Sequence, residues 1–380
     1  MHGDCLERLK ELPDASVDAI CTDPPAGINF MQADWDKDKG GRVEWVKWMT
    51  DVAKECIRLI KPGGHAIVWA IPRTSHWTAM AWEDAGWDCR DVITHIFGSG
   101  MPKSLSVDRA IDDELGVERT VVGERVMVQG GGSSLQFRVG ERREVISKVT
   151  VATSEEARRW DGWGTNLKPA SEHWILLRKP FEGTVAQNVI LHGTGAINLK
   201  GCRVEAEDGY RAGADPSLFE PAKVPVLSEG RWPANLLHDG SSAALSVLEA
   251  TPREAASGKP LKRKSKLDEQ GRPHAARFFY CTKIKRKDRE EGLEEGGIIN
   301  THPTVKNTEL MRFLVRLIGP PEGIVLDPFM GSGSTGKACA EEGLQFLGIE
   351  REKEFFDISE ARINHAYLKA ALPSGKLWED

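Results

Sequence analysis

VDAICTDPPAG, residues 17–27, is an apolar run that ends in an acid and two prolines. Val17 to Thr22 has the β-branched and small apolar residues of a buried strand. Asp23-Pro24-Pro25 then forces a tight turn, because proline fixes φ and has no N–H for a ladder. GIVLDPFMGSGS, residues 323–334, repeats the arrangement near the other end of the chain, with Asp327-Pro328-Phe329-Met330-Gly331-Ser332-Gly333 as the turn. In open α/β sheets the carboxyl ends of strands are where ligands bind.

Working outward from the first turn, Trp45, Trp48, Met49, Val52, Cys56, Leu59 and Ile60 recur at helical spacing, and Lys61-Pro62-Gly63-Gly64 is read as the end of that helix. HAIVWAI follows as a strand, Ser75 as the cap of a helix running to Gly86, and CRDVITHI as a further strand. Around the second turn, Leu310, Phe313, Leu314 and Leu317 predict a helix, GIVLDPF a strand, Ser334–Gly343 a helix, QFLGIE a strand, and Lys353 to Ala371 an amphipathic helix. Both ends alternate strand and helix, the pattern of a parallel sheet covered on both faces. Neither end suffices for a doubly wound sheet, so the two together are expected to form one α/β sheet. Residues 1–97 and 298–380 are then its halves, and 98–297 is a large inserted region. Within that region only WILLRKP (174–180) and AARFFYCTKI (275–284) read as strands, and its topology stays open.

The chain has 380 residues, 40% hydrophobic and 28% charged, which is the mix of a folded globular protein. Its formal net charge of −6 gives no global signal for nucleic acid. From Lys259 to Arg289, however, basic residues dominate, including Lys283, Lys285, Arg286 and Lys287. Such a run is either a solvated face or a surface for phosphates. The seven cysteines are scattered without a C-x-x-C pair, so they read as reduced cytosolic thiols rather than disulfides or a zinc site, and no metal is expected. No apolar run is long enough to cross a bilayer, and no membrane partner is expected.

The chemistry of the turns narrows the function. Gly331 and Gly333 allow a ligand close to the backbone. The segment lacks the Lys-Ser/Thr of a phosphate-binding loop. Glu350 ends the next strand, where a carboxylate can accept both ribose hydroxyls. S-adenosylmethionine has a ribose and no phosphate, and fits better than a dinucleotide. At the first turn, the Asp23 carboxylate and the Pro24 carbonyl can both accept from one NH2 group, with Pro25 offering no competing donor. Two such acceptors would free the lone pair of a nucleobase amine, which is otherwise delocalised into the ring.

These residues resemble a family. Asp-Pro-Pro early, Asp-Pro-Phe-x-Gly-x-Gly-Ser late, His302-Pro303-Thr304-x-Lys306 just before it, and the opening Gly3-Asp4-Cys5-Leu6 look like the β group of site-specific DNA amino-methyltransferases. The resemblance covers the two ends and little of the middle, which in that group holds the target recognition region. It implies that Asp23, Pro24 and Pro25 hold the target amine. It further implies that Asp327, Phe329, Gly331 and Gly333 wrap the cofactor, that Glu350 takes its ribose and Asp4 its adenine, and that Thr304 and Lys306 lie near its methionine end. Duplex DNA is the implied partner, contacted by the basic run. A homodimer, a cognate restriction nuclease and a bacterial or phage origin are compatible with it. Two positions depart from the family: Ala26 stands where an aromatic is usual, with Phe30 or Trp35 as substitutes, and Asn307 stands where proline is usual.

Adenine N6 is the expected target, since Asp rather than Ser opens the amine turn; cytosine N4 is the alternative. Methylation of RNA or of a protein amide would use the same turn; the large basic insertion favours DNA, because a small amide substrate needs no such surface. A binding module with weak or lost activity is the rival from another class, motivated by Ala26. A dinucleotide oxidoreductase lacks its first-glycine fingerprint.

Overall fold

The structure, a computed structural model, describes residues 1–29, 34–37, 39–98, 100, 104–130, 142–204, 232–241, 244, 279–280, 284–294 and 296–371. The elements in chain order are α1 (Cys5–Lys10), β1 (Val17–Thr22), α2 (Arg42–Leu59), β2 (Ile60–Ala70), α3 (Ser75–Asp84), β3 (Asp88–Ile96), α4 (Val107–Glu114), β4 (Thr120–Gly130), β5 (Arg142–Val151), α5 (Glu155–Arg159), β6 (Ser171–Arg178), α6 (Val185–His192), β7 (Leu236–His238), β8 (Phe279–Tyr280), α7 (Arg286–Glu290), α8 (Thr308–Ile318), β9 (Ile324–Asp327), α9 (Ser334–Glu341), β10 (Gln345–Gly348) and α10 (Lys353–Ala371). The chain divides into two compact units, residues 1–98 with 171–380, and residues 99–170.

The larger unit is built on a sheet in the order β10-β9-β1-β2-β6-β3-β7-β8. Among the described residues only β6 runs against its neighbours in this sheet: β2 and β3 both pair with it antiparallel, and the other pairings are parallel. Strands from the two ends of the chain lie side by side, with Ala19 opposite Val325 and Ile20 opposite Leu326. The alternation of side chains along a strand explains the two cores. Ile20, Val68, Ile175 and Leu326 face α2 and α3, where Trp45, Met49, Val52 and Trp82 are buried. Ala19, Cys21, Ile67, Trp174 and Val325 face the opposite way, onto Leu310, Phe313 and Leu314 of α8 and Cys339 of α9. All six residues of β1 are buried, as a strand covered on both faces requires.

One sequence boundary moves. Lys61-Pro62-Gly63-Gly64 does not end α2 but belongs to β2, which begins at Ile60. Gly63, at φ +76°, and Gly64 let the strand bulge past β1, where the register shifts between Val17 and Ala19. A β-carbon on Gly64 would lie 2.6 Å from Ile60 Cγ1, so only glycine fits. Within the stretch 98–297, residues 99–170 form the second unit, while Ser171–Arg178 and Leu236–His238 are strands of the large sheet. The second unit by itself is an antiparallel ribbon, β4 with β5, together with α4 and α5. Arg119 joins its parts by reaching Asp108 at 2.7 Å and Asp112 at 2.9 Å. Cys5, Cys21, Cys56, Cys202 and Cys339 are buried free thiols and Cys89 is half-buried; Cys281 lies outside the described residues. No helix among the described residues is long and apolar enough to cross a membrane.

Candidate active site

The Asp23-Pro24-Pro25 turn and the Asp327–Gly333 turn leave adjacent parallel strands at one edge of the sheet. β1 ends at Thr22 and β9 at Asp327, and the Thr22 hydroxyl donates to Asp327 Oδ1 at 2.6 Å. The second Asp327 oxygen accepts from the Thr335 hydroxyl at 2.6 Å, and the Phe329 N–H reaches Oδ1 at 3.1 Å. Burial pushes the Asp327 carboxyl up to about 6, although these three donors pull the other way. Asp327 thus faces the interior and staples the two turns to each other and to the start of α9.

The first turn is fixed from behind. The Gly27 N–H donates to Asp36 Oδ1 at 2.9 Å, and the Trp45 indole lies where a β-carbon on Gly27 would sit. Gly27 at φ +67° is in the left-handed region that favours glycine. Pro24 is buried, and Asp23, Pro25 and Ala26 are half-buried. Asp23 points at Lys306, with Nζ 2.8 Å from Oδ2. That ammonium also lies 4.1 Å from the centroid of the Trp69 ring, a cation–π contact. Burial raises the Asp23 carboxyl above its ordinary value, and Lys306 opposes the rise without cancelling it. Burial alone would lower Lys306, but Asp23 and Glu172 outweigh it and keep the ammonium protonated.

Lys306 arrives on the segment that leads into α8. The Ser334 hydroxyl donates to its carbonyl at 3.0 Å, anchoring it to α9. The Asn307 side chain caps α8 by accepting from Glu309 N at 2.7 Å and Leu310 N at 3.2 Å. Asparagine is therefore a working substitute for the proline usual at this position. His302, earlier on the segment, packs on Gly331: a β-carbon there would lie 2.8 Å from Nε2. Its ring meets Phe355 edge-on at 4.6 Å and stacks near Trp35 at 6.4 Å. Burial, then the neighbouring Lys306, pushes the His302 imidazole down to about 3, so it is neutral.

The second turn faces the end of β10. The Gly331 N–H donates to Glu350 Oε2 at 2.9 Å and the Glu352 N–H to Oε1 at 2.8 Å. Burial raises the Glu350 carboxyl. The head of the chain closes on the same place: His2 bridges Glu350 in parallel, and the Gly3 N–H donates to the Glu350 carbonyl at 2.9 Å. Asp4 follows directly and caps α1 through Oδ1, accepting from Leu6 N at 2.9 Å. Phe329 is half-buried with its ring 5.7 Å from Trp48. Thr304 is half-buried on the His302–Lys306 segment. The carboxylates of Asp4 and Glu350 at one end of the turn and the Lys306 ammonium at the other form a donor set of the right chemistry for S-adenosylmethionine. They offer acceptors for an amine and a ribose diol, and a cation for a carboxylate.

Of the residues singled out from sequence, Asp23, Pro24, Pro25, Asp327, Phe329, Gly331, Gly333, Thr304, Lys306, Glu350 and Asp4 all lie on this edge or the segments that flank it. Lys285, Arg286 and Lys287 are exposed at the start of α7. The other side of α7 is anchored, with Asp288 taking the Lys337 ammonium at 2.7 Å and Arg289 donating to the His302 carbonyl at 2.8 Å. Lys283 and Phe30 lie outside the described residues. Sequence reading missed Trp69, His95 and Glu172, which come from the ends of β2, β3 and β6. No motif or spacing links them, since only the sheet order brings them together.

The chain matches the N6/N4 DNA methylase family over residues 17–114 and 211–361, more than half its length. It belongs to that family of DNA methylases, enzymes that methylate exocyclic amino groups with S-adenosylmethionine as the methyl donor. Among curated relatives, a type II methyltransferase of Haemophilus influenzae, M.HindIII, is 21% identical over 95% of this chain and 94% of its own. M.BamHI of Bacillus amyloliquefaciens is 38% identical over 72 residues, 19% of this chain and 17% of its own. The chain thus spans under a fifth of the M.BamHI relative and nearly all of M.HindIII. Among solved structures, the cytosine-N4-specific PvuII DNA methyltransferase aligns over 97% of this chain and 91% of its own, with 14% identity and a TM-score of 0.48.

Proposed function

We propose that this chain methylates adenine at N6 in duplex DNA, with the target nucleotide flipped out of the stack. The observation that supports this most is the 2.6 Å bond from Thr22 to Asp327, which ties the amine turn to the cofactor turn on neighbouring strands. When bound, S-adenosylmethionine supplies an electrophilic methyl group on a positively charged sulfur. Everything else in the reading falls to the protein. Glu350 and Asp4 accept from the nucleoside part, and Phe329 and Gly331 give the turn its close approach. The inward-facing Asp327 positions rather than touches the cofactor. Asp23 and the Pro24 carbonyl accept the two hydrogens of the target amine and favour a pyramidal nitrogen with its lone pair available. No covalent enzyme intermediate is required, and the rate enhancement is one of placement and electrostatics.

A duplex hides its amines, so the reading needs phosphate contacts strong enough to hold an opened stack. Lys285, Arg286 and Lys287 suit that role because they are exposed and make no ion pair among the described residues. Trp35, beside His302, is the candidate for the aromatic that Ala26 does not provide. Residues 98–297 would carry target recognition between a catalytic half, 1–97, and a cofactor half, 298–380. The type II methyltransferase relatives support a restriction nuclease as the functional partner and a cytoplasmic setting.

The test is to incubate unmethylated duplex DNA with the protein and S-adenosylmethionine, then identify the nucleosides by mass spectrometry. N6-methyladenine is the expected product. N4-methylcytosine would move the reading to the other base, and no methylated nucleoside would leave a binding module.

A further inference from the structure

Arg362 lies on α10 with none of its surface exposed. Among the described residues its bonds go to backbone carbonyls and not to carboxylates: Nη1 donates to the Ser332 carbonyl and Nη2 to the Asp288 carbonyl at 3.0 Å. Its Nε is buried without a partner among them. A buried charge is costly, and an apolar side chain of similar volume is often no less stable, so the guanidinium needs a reason other than packing. Ser332 is the middle residue of the Gly331-Ser332-Gly333 turn, whose glycines have φ of +50° and +78°. The Gly331 N–H goes to Glu350 and the Gly333 N–H to the Met330 carbonyl at 2.7 Å. The Ser332 carbonyl and the Gly333 N–H belong to one planar peptide, so Arg362 fixes the peptide between the two glycines. The far anchor is itself held, since the Asp288 carboxylate takes the Lys337 ammonium at 2.7 Å and the Thr308 hydroxyl at 2.5 Å.

We infer that Arg362 is a positioning residue for the cofactor: its fork ties the Ser332 carbonyl to the Asp288 carbonyl and so holds the Gly331–Gly333 backbone in the shape that receives S-adenosylmethionine. The inference rests on the reading of that turn as the cofactor turn. A guanidinium presents its donors in a rigid plane and can bridge two carbonyls at a fixed angle. An ammonium is a point on a flexible stem and sets no such angle. Glycines that adopt left-handed dihedrals also lose the most conformational freedom when ordered. A turn held in shape before binding spares the cofactor that ordering, which is preorganisation.

The experiment compares wild type, Arg362→Met, Arg362→Lys, Lys337→Met and Glu350→Ala. Calorimetry gives the affinity for S-adenosylmethionine, and hydrogen exchange of the cofactor-free protein reads the turn directly. Arg362→Met leaves the Ser332 carbonyl unpaired, so the cofactor Kd should rise about tenfold or more. Exchange over residues 329–336 should quicken while α2 exchanges as in wild type. Arg362→Lys returns a donor to one carbonyl and should recover part of the affinity. Lys337→Met is the control for mere destabilisation. It deletes the ammonium held by Asp288 and Glu291, whose side chain makes no bond to the turn. It should lose resistance to urea and keep cofactor affinity within a few-fold. Wild-type affinity or wild-type turn exchange in Arg362→Met, or an equal loss of affinity in Lys337→Met, would overturn the inference. Should Arg362→Met fail to fold, seen as fast exchange throughout α2, Arg362→Lys decides: weaker cofactor binding with α2 protected supports the inference, and wild-type affinity overturns it. Glu350→Ala separates the inference from the reading beneath it. Weak binding in Glu350→Ala beside wild-type binding in Arg362→Met sinks the inference alone. Wild-type binding in both sinks the reading of the turn as well.

Discussion

Lys306→Met removes the cation that Asp23 contacts at 2.8 Å while keeping a side chain of similar length. The side chains of Lys306 and Asp23 are 14% and 22% exposed, so most of the interaction is out of water. Breaking a buried ion pair by deleting one partner costs roughly 3–5 kcal/mol. Glu172 gives a second scale: its fall from the ordinary 4.5 to about 2, with burial opposing it and Lys306 first among the groups that lower it, corresponds to about 3 kcal/mol. The lower figure, about 3 kcal/mol, is the better expectation because a fifth of the Asp23 side chain stays in water. The pH dependence follows from linkage. In wild type, Glu172 titrates below its unfolded value, so its contribution is present above pH 4.5 and is lost as pH falls toward about 2. In the variant both carboxyls rise, the folded state binds protons more tightly than the unfolded chain, and stability recovers as pH falls. Urea unfolding followed by tryptophan fluorescence should therefore show a deficit of about 3 kcal/mol at pH 8 that shrinks at about pH 5. Equal stability of the two proteins at pH 8, or a deficit of the same size at both pH values, would refute the reasoning.

Replacing Lys285, Arg286 and Lys287 by glutamine should weaken DNA binding and flatten the dependence of log K on log salt by up to about 2.7, at about 0.9 for each phosphate contact. Filter binding at several salt concentrations checks this, and an unaltered slope would return the three to a solvated face. Asp327, held at about 6 against an ordinary 3.8, makes the folded state bind a proton that the unfolded chain has released. Its contribution to stability therefore falls by about 3 kcal/mol as pH rises from 3.8 past 6, and Asp327→Asn should flatten that dependence in urea titrations. Gly333→Ala places a β-carbon 2.9 Å from Ser359 Cβ at φ +78°. It should cost at least about 1 kcal/mol in the same assay, and no loss would mean that α10 yields freely.

The sheet edges were legible because each carries its chemistry within a few consecutive residues. Val17–Thr22 and Ile324–Asp327 are apolar enough to declare buried strands, and the prolines and glycines that follow mark the turns. The helices over 308–318 and 353–371 lie where apolar spacing predicts them. The boundary at Lys61–Gly64 was misread because a Pro-Gly-Gly run normally stops a helix, whereas here the bulge between β1 and β2 absorbs it within a strand. Glu172 and His95 were invisible as a pair, since their opposition depends on β6 running against β3. Asp327 reads from sequence as a ligand of the cofactor, whereas in the structure it is buried and accepts from the hydroxyls of Thr22 and Thr335.

The central claim is that the two turns act on one reaction, with Asp23 serving the acceptor and Glu350 and Gly331 serving the donor. It is tested most directly by Asp23→Ala, with labelled-methyl transfer from S-adenosylmethionine to unmethylated duplex DNA measured beside calorimetric cofactor affinity. Transfer should vanish while cofactor affinity stays within a few-fold of wild type. Transfer at the wild-type rate, or a collapse of cofactor affinity with it, would contradict the account.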